Sequence, residues 1–308
     1  MKALVYGGNG FIGSHLVDSL INDGHRVRVL DRYPEKHRAP LPNVEYYRAT
    51  FGDTAIIAEA LKDVDIVYHI ASTTVPSTSN EDPISDIESN LVGTVRLLNL
   101  MVKTGIKRLV FLSSGGTVYG NTDVTAISEE HPLKPICSYG VVKLAIENYL
   151  NMYKELYGLL PIILRPSNAY GPRQGHIGTQ GFIFSLLSKV KEREPLIVWG
   201  DGSVVRDYVY VEDLVRLCSL AGSSELTGTF NASSGYGYSV SEVIDVILKT
   251  LGVELTVAFQ NGRPFDVRKV ILDCSKAEKV FGWRASTGLS EGILKTWSWI
   301  QSGETLCR

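Results

Sequence analysis

The segment Gly7-Gly8-Asn9-Gly10-Phe11-Ile12-Gly13 constrains the fold of this chain more than any other part of the sequence. It follows the apolar residues 3–6, which read as a strand, and it opens a stretch with helical apolar spacing. Glycines at such a turn let the backbone approach a pyrophosphate, whose charge is stabilised at the positive N-terminus of the helix. We therefore expect a strand–turn–helix unit that binds a dinucleotide through Gly7, Gly10 and Gly13.

Asp31 stands at the end of the second predicted strand. A carboxylate at this place can accept hydrogen bonds from both hydroxyls of an adenosine ribose, and it would repel a 2′-phosphate. NAD is therefore favoured over NADP as the cofactor. Arg32 leaves the alternative open, because an arginine beside this position can hold the 2′-phosphate instead.

Strands and helices alternate through the first half of the chain. Further apolar strands are expected at residues 66–68, 109–112 and 162–164, and helices at residues 90–103 and 142–156. This rhythm predicts an α/β protein with a Rossmann-type doubly wound parallel sheet and a smaller C-terminal α/β lobe. We place the NAD-binding domain at residues 1–167 and the substrate domain at residues 168–308, with parts near 206–235 returning to the first domain.

The charge balance and the cysteines exclude several classes of protein. The 31 Lys+Arg and 33 Asp+Glu leave a net charge of -2, which gives no long-range field to attract nucleic acid. No apolar run approaches the ~20 residues of a membrane span, and we expect no signal peptide. The four cysteines include no CxxC pair, so we expect neither a metal site nor disulfides, and a cytoplasmic location.

Tyr139 and Lys143 form a second motif at the start of a predicted helix. The i, i+4 spacing places the phenol and the ammonium on one face, although such pairs are also common on helix surfaces. A free tyrosine has a pKa of about 10, which is too high for a base at neutral pH. We expect the ammonium and the positive nicotinamide ring to stabilise the phenolate and lower its pKa.

Several further segments occur in an order typical of one family. They are Asn90-Leu91-Val92-Gly93-Thr94, Ser113-Ser114-Gly115-Gly116-Thr117-Val118-Tyr119-Gly120, Arg165-Pro166-Ser167-Asn168-Ala169-Tyr170-Gly171-Pro172-Arg173 and Arg206-Asp207-Tyr208-Val209-Tyr210-Val211-Glu212-Asp213. With the glycine turn and the Tyr139/Lys143 pair, the chain resembles the extended short-chain dehydrogenase/reductases, and among them the UDP-hexose 4-epimerases. The resemblance implies an NAD-dependent 4-epimerase of UDP-hexoses or UDP-N-acetylhexosamines. Such an enzyme oxidises C4 to a 4-keto intermediate and returns the hydride to the opposite face.

The resemblance also implies a role for individual residues and a homodimer. Tyr139 would be the base, and Lys143 would hold the nicotinamide ribose. The residues that would contact the cofactor are Gly7, Gly10, Phe11, Ile12, Gly13, Asp31, Arg32, Asp53, Ala71, Ser72, Thr73, Asn90, Ser113 and Ser167. On the substrate side, Asn168 and Trp199 would contact UDP, while Arg206 and Arg263 would hold its diphosphate.

One position departs from the family pattern. The family usually has Ser or Thr four residues before the tyrosine of its Val-Tyr-Gly turn, where the hydroxyl bonds to the reacting sugar. Here that position is Gly115. We expect Thr117, or as a second choice Ser114, to supply the missing hydroxyl.

A second position bears on the size of the sugar. In the enzymes that the chain resembles, a tyrosine seven residues after the second diphosphate-binding arginine restricts the sugar pocket. Counting from Arg263 places Val270 there. Valine is smaller than tyrosine, so we predict room for an N-acetyl group at C2 and interconversion of UDP-N-acetylglucosamine and UDP-N-acetylgalactosamine.

Two other functions remain open at this point. A nucleotide-linked 4-keto-sugar reductase would use the same Tyr139/Lys143 pair but would consume NAD(P)H. A non-catalytic NAD-binding sensor would explain the loss of a hydroxyl at Gly115. The carrier could also be another nucleotide or a lipid diphosphate, because each needs a similar diphosphate clamp.

Overall fold

The computed structural model describes residues 1–175, 181–260 and 268–303. Its strands are β1 (Lys2–Tyr6), β2 (Arg26–Asp31), β3 (Val44–Arg48), β4 (Ile66–His69), β5 (Arg108–Leu112), β6 (Leu160–Pro166), β7 (Asn168–Tyr170), β8 (Leu196–Trp199), β9 (Val205–Tyr210), β10 (Gly228–Ala232), β11 (Gly237–Ser239), β12 (Val257–Gln260) and β13 (Lys269–Val270). Its helices are α1 (Phe11–Asn22), α2 (Thr54–Ala60), α3 (Pro83–Asp86), α4 (Gly93–Thr104), α5 (Ser138–Tyr157), α6 (Phe182–Glu192), α7 (Val211–Ser223), α8 (Val240–Leu251), α9 (Ser275–Phe281) and α10 (Leu289–Ser302). A π-helical turn, Ile87–Val92, joins α3 to α4.

The larger sheet has seven strands in the order β10-β6-β5-β4-β1-β2-β3. Every neighbouring pair in it is parallel. The strand order reverses beside β1, and the carboxyl ends of the strands at such a switch point form the ligand crevice of a doubly wound sheet. The Rossmann-type fold predicted from the sequence is therefore confirmed.

Helices cover both faces of this sheet because its central strands are apolar on both sides. On one face Leu16 and Leu20 of α1 pack with Leu214 of α7. On the other face Leu97 of α4 packs with Ile146 of α5. The two layers fix α1 and α5 on opposite sides of the sheet, each with its N-terminus at the crevice.

A smaller lobe follows β6. Its core is formed by α6, α8 and α10 around strands β8 and β9. Strand β9 pairs with β7, β11 and β13, while β8 pairs with β12. Between these elements the chain contributes β10 to the edge of the larger sheet and packs α7 against α1. The domain boundary near residue 167 stays a prediction.

Two local features differ from the sequence-based expectation. Strand β3 is not among the predicted strands, because Glu45 and Arg48 leave it without a continuous apolar run. The helix expected at residues 90–103 begins instead as the π-helical turn and becomes α-helical at Gly93. Within the described parts of the chain, no helix is long and apolar enough to cross a membrane.

Candidate functional site

One cavity of about 2000 Å³ runs along the carboxyl ends of the central strands and into the smaller lobe. It brings together most of the residues predicted from the sequence. The predicted residues that line it are Gly7, Gly10, Phe11, Ile12, Gly13, Asp31, Arg32, Ala71, Ser72, Thr73, Ser113, Ser114, Thr117, Tyr139, Lys143, Ser167, Asn168, Trp199 and Arg206. The cavity is thus long enough to join the glycine turn to the wall that carries Arg206.

The glycine turn packs the first strand directly against α1. A Cβ atom on Gly13 would stand 2.8 Å from the Cα atom of Gly8, which is closer than real Cβ atoms approach. Gly7 has φ +91°, a conformation that side chains other than hydrogen rarely adopt. The glycine turn at the start of α1 therefore leaves its backbone free of side chains, so that a pyrophosphate can approach the helix N-terminus.

Asp31 lies beside the glycine turn, and hydrogen bonds hold its carboxylate in place. Its oxygens accept hydrogen bonds from the backbone N–H groups of Asn9 at 3.1 Å and Tyr33 at 3.0 Å. Burial raises the pKa of Asp31, and these hydrogen bonds oppose the shift. The Arg32 guanidinium lies 4.6 Å from the centre of the Tyr33 ring. These residues fit a dinucleotide whose ribose hydroxyls bond to Asp31.

Tyr139 and Lys143 lie one turn apart at the start of α5. The Lys143 Nζ atom donates a hydrogen bond of 2.9 Å to the backbone oxygen of Leu112. It lies 5.5 Å from the centre of the Tyr139 ring and 4.8 Å from that of Phe111. The end of β5 therefore positions the ammonium beside the phenol, as the i, i+4 spacing predicts.

The electrostatics of this pair are governed by burial. Burial lowers the pKa of Lys143 to about 8, although Asp86 and Glu147 raise it. Burial also raises the pKa of Tyr139, with smaller contributions in the same direction from Asp86 and Cys137. The expectation that Lys143 lowers the pKa of Tyr139 is therefore not met by the chain alone. A further positive charge at the phenol, such as a nicotinamide ring, is needed to favour the phenolate.

Two hydroxyl side chains border the cavity near Tyr139, while Gly115 does not offer a place for one. Thr117 lines the cavity, and its Oγ1 atom is buried without a hydrogen-bond partner. Ser114 also lines the cavity. The position of a Cβ atom on Gly115 is already taken by the side chain of Leu272, and the Arg165 backbone oxygen lies 2.9 Å from it. Thr117 therefore carries a buried hydroxyl without a hydrogen-bond partner on this side of the cavity.

A buried network of polar side chains lies behind Lys143. Arg165 donates to Glu147 at 2.6 Å and to the Tyr119 hydroxyl at 2.9 Å. Glu147 also accepts the Ser113 hydroxyl, so Ser113 faces this network as well as the cavity. Because both ions of the pair are almost fully buried, removing either one would leave an uncompensated charge.

The substrate end of the cavity is built from β7, β8 and β9. Asn168 donates from its Nδ2 atom to the Asp207 backbone oxygen at 3.0 Å, which orients its side chain. Trp199 is 49% exposed and presents an open aromatic surface. Arg206 lies on the wall of the same cavity. The predicted partner of Arg206, Arg263, lies outside the described residues.

Three predicted residues do not line the cavity. Asp53 is exposed, and its carboxylate accepts the Thr50 N–H and hydroxyl, each at 2.6 Å, so its contact with adenine stays a prediction. Asn90 is buried and supports the wall from behind, because its Oδ1 atom accepts the Thr73 N–H at 2.9 Å. Val270 packs with Val118 and Tyr119 in a small apolar cluster. The expectation that Val270 borders the sugar is thus corrected: its side chain is only 2% exposed and lies in this cluster.

Sequence reasoning missed several residues of the wall and one residue behind it. The loop after β4 and the start of α3 add Val75, Pro76, Ser77, Asn80 and Ser85 to the lining. Asp86 is fully buried and bonds to the Ser138 hydroxyl at 2.8 Å, directly before Tyr139. Its spacing of four residues from Asn90 was the available signal. Among the described residues, no cluster of His, Cys, Asp and Glu could hold a metal ion.

Comparisons with known proteins agree with this geometry. The model of the NAD dependent epimerase/dehydratase family matches residues 3–238. A UDP-glucose 4-epimerase of Mycolicibacterium smegmatis is 37% identical over 306 residues, which cover 96% of this chain and 97% of that protein.

Two solved structures have nearly the same fold. The UDP-glucose 4-epimerase of Thermotoga maritima with UDP-glucose has a TM-score of 0.93 and 34% identity, and the match covers 98% of this chain and 99% of that chain. The UDP-N-acetylglucosamine 4-epimerase of Methanobrevibacter ruminantium in complex with UDP-N-acetylmuramic acid has a TM-score of 0.92 and 28% identity, with 98% of each chain covered.

Proposed function

Because this chain belongs to the NAD-dependent epimerase/dehydratase family, we propose that it is an NAD-dependent 4-epimerase of UDP-hexoses. The observation that carries the proposal is the continuous cavity, which has the glycine turn and Asp31 at one end and Trp199 and Arg206 at the other. Tyr139 and Lys143 line the same cavity. A dinucleotide and a nucleotide-sugar held at the two ends would meet at the phenol.

Each residue has a defined part in this reaction. NAD, which the glycine turn and Asp31 would hold, would supply the acceptor and donor of the hydride exchanged with sugar C4. The Tyr139 oxygen accepts the proton of the C4 hydroxyl during oxidation and returns it to the same oxygen during reduction. Lys143 holds positive charge beside the phenol and bonds to the nicotinamide ribose. Thr117, with Ser114 as the second choice, bonds to the reacting oxygen.

Inversion at C4 requires that the keto-sugar turn over while it stays bound. Charge-assisted hydrogen bonds from Arg206 and Arg263 to the diphosphate would anchor the molecule at the end remote from the chemistry. Asn168 and Trp199 would hold the uridine. A firmly held diphosphate and a loosely held sugar let the ring present its opposite face to the cofactor.

The proposal is tested by incubating the purified protein with UDP-glucose, UDP-galactose and their N-acetylated counterparts, without added cofactor. Interconversion at C4 is expected, because the cofactor is regenerated in every turnover. Tyr139→Phe is the matched control, since it removes one oxygen. If the protein instead consumes NADH or NADPH stoichiometrically with a 4-keto-sugar, it is a reductase. If only lipid-linked diphosphosugars react, the proposal that UDP carries the sugar is wrong.

The homodimer expected from the resemblance is also a proposal. Helix α5 exposes a run of large apolar side chains, which supports burial of this helix against another subunit. They are Val141, Tyr149, Met152, Leu156 and Tyr157. Sedimentation equilibrium of the protein and of Leu156→Glu tests this proposal, and a monomeric parent protein would overturn it. The cytoplasmic location stays a prediction from cysteine usage.

A further inference from the structure

Asp86 is a buried carboxylate directly behind the proposed catalytic pair. It is the last residue of α3 and has no exposed surface. Its Oδ1 atom accepts the Thr74 hydroxyl at 2.7 Å and the Asn90 amide at 2.8 Å. Its Oδ2 atom accepts the Ser138 hydroxyl at 2.8 Å. The three partners are neutral, so none of them compensates the charge of the carboxylate.

These partners come from three separate segments, of which only Thr74 lines the cavity itself. Thr74 belongs to the loop after β4, Asn90 to the π-helical turn, and Ser138 to the first turn of α5. Asn90 extends the connection, because it also accepts the backbone N–H of Thr73. π-helical turns inside helices often occur at functional sites. Asp86 thus joins the loop after β4, which lines the cavity, to the helix that carries Tyr139.

The charge of Asp86 acts on both members of the pair. It raises the pKa of Lys143 against the effect of burial, and it raises the pKa of Tyr139. The other groups that act on Lys143 are Glu147, which also raises its pKa, and His69, a buried neighbour. The other groups that act on Tyr139 are Cys137 of the same helix and the Ser72 hydroxyl. Asp86 is the carboxylate that these two sets share.

Burying a carboxylate whose hydrogen-bond partners are all neutral is costly. A charge at this place therefore calls for a function. We propose that Asp86 is the positioning residue of the Tyr139–Lys143 pair. Its carboxylate connects the loop after β4 to the start of α5 through its hydrogen bonds with Thr74 and Ser138. Its negative charge keeps Lys143 in the ammonium form. The role in catalysis rests on the proposed 4-epimerase function.

Separate variants test the negative charge of Asp86 and its hydrogen bond with Ser138. Asp86→Asn removes the charge and nearly preserves the shape. Ser138→Ala removes one hydrogen bond and keeps the charge. Glu81→Gln is the matched control, because it removes one negative charge from an exposed side chain just before α3. The dependence of kcat/KM on pH is measured for all three variants, since the two limbs of the profile report the titration of the Tyr139–Lys143 pair.

Asp86→Asn should shift both limbs of the profile to lower pH by about one unit, because it removes a negative charge that raises both pKa values. Ser138→Ala should lower kcat about tenfold without moving either limb, as expected for a displaced helix terminus. Glu81→Gln should behave as the parent protein. An unshifted profile in Asp86→Asn would overturn the electrostatic role. An unchanged kcat in Ser138→Ala would overturn the proposal that the hydrogen bond between Asp86 and Ser138 positions the start of α5.

A second measurement does not depend on epimerase activity. The rate at which acetic anhydride acetylates Lys143, followed by peptide mass spectrometry across a pH series, reports the fraction of neutral amine. The midpoint should lie near pH 8 in the parent protein and lower in Asp86→Asn. If the parent protein has no epimerase activity, the proposed function fails, while this midpoint still decides whether Asp86 holds the charge of Lys143. Identical midpoints would overturn the inference.

Discussion

The side chain of Leu272 occupies the place that a side chain on Gly115 would take. Gly115 also extends the pairing of β5 with β6, since its N–H donates to the Pro166 backbone oxygen at 2.8 Å. The missing hydroxyl therefore cannot be restored by a simple substitution. The space where a family serine would be expected has been filled by a residue that follows β13.

Gly115→Ser should destabilise the protein by about 1–3 kcal/mol, as overpacking of a well-filled site does, and it should not raise turnover. Gly116→Ser is the matched control for stability, because a Cβ atom there meets nothing within 4 Å. Urea unfolding of both variants measures the difference. Equal stability of the two variants would show that Leu272 moves aside freely.

Thr117→Val should lower turnover more than it weakens UDP binding, because it removes the unpartnered hydroxyl beside Tyr139 and keeps the shape. Ser114→Ala should have a smaller effect. Turnover and UDP affinity are measured for each variant and for the double variant. Unaltered turnover in the double variant would mean that Tyr139 acts without help from this loop.

Tyr139→Phe should reduce turnover by at least the ~100-fold that is typical of losing a general acid–base group. NAD content should barely change, since the phenyl ring keeps the packing at the start of α5. Steady-state kinetics and the absorbance of released cofactor check both expectations. Turnover close to that of the parent protein would exclude Tyr139 as the base.

Val270→Tyr should lower activity on plain and N-acetylated substrates alike. Val270 is buried against Val118 and Tyr119, so a tyrosine overpacks this cluster before it can reach a sugar. Thermal unfolding and assays with both substrate types separate the two effects. A selective loss of the N-acetylated activity, with full stability, would instead support the gate role expected from the sequence.

Acid should destabilise the protein partly through two histidines, the half-buried His15 and the buried His69. Burial lowers the pKa of His15 to about 4 and that of His69 to about 3. The unfolded chain titrates near pH 6.5, so the folded state favours the neutral rings. Their contribution is complete above about pH 6.5 and is lost as the pH falls, by up to about 1.4 kcal/mol per pH unit for each ring.

His15→Gln tests this linkage because glutamine can keep a hydrogen bond to the Pro172 backbone oxygen but does not titrate. The free energy of unfolding of this variant should fall less steeply between pH 6.5 and 4 than that of the parent protein. His25→Gln is the control, since the His25 ring meets the N-terminus at an exposed site. Parallel curves for His15→Gln and the parent protein would contradict the linkage.

Much of the fold and of the cofactor site could be predicted because each depends on a short stretch of chain. The glycine turn needs bare backbone within a few residues of β1, and only glycine meets that need at Gly13. The Tyr139–Lys143 pair needs one helical turn. Strand β3 escaped prediction because only Val44 in it is buried, so it has neither a continuous apolar run nor a regular alternation.

The position of Val270 shows why a correct count along the chain does not determine where a side chain points. Its place next to β9 is fixed by pairing with Arg206, but the side chain that it contacts, Tyr119, is far away in sequence. Asp86 was missed for the same reason. Its partners Thr74 and Ser138 are 64 positions apart in the sequence, and only folding brings them to one carboxylate.

By itself the sequence determined the alternation of strands and helices, the glycine turn, Asp31 at the end of the second strand and the spacing of the Tyr139–Lys143 pair. These features follow from backbone freedom and periodicity, which act over a few residues. Only the tertiary structure decided that the Thr117 hydroxyl is buried without a partner, what fills the space beside Gly115 and which carboxylates act on Lys143. These depend on burial and on contacts between remote segments, because desolvation and charge act through space rather than along the chain.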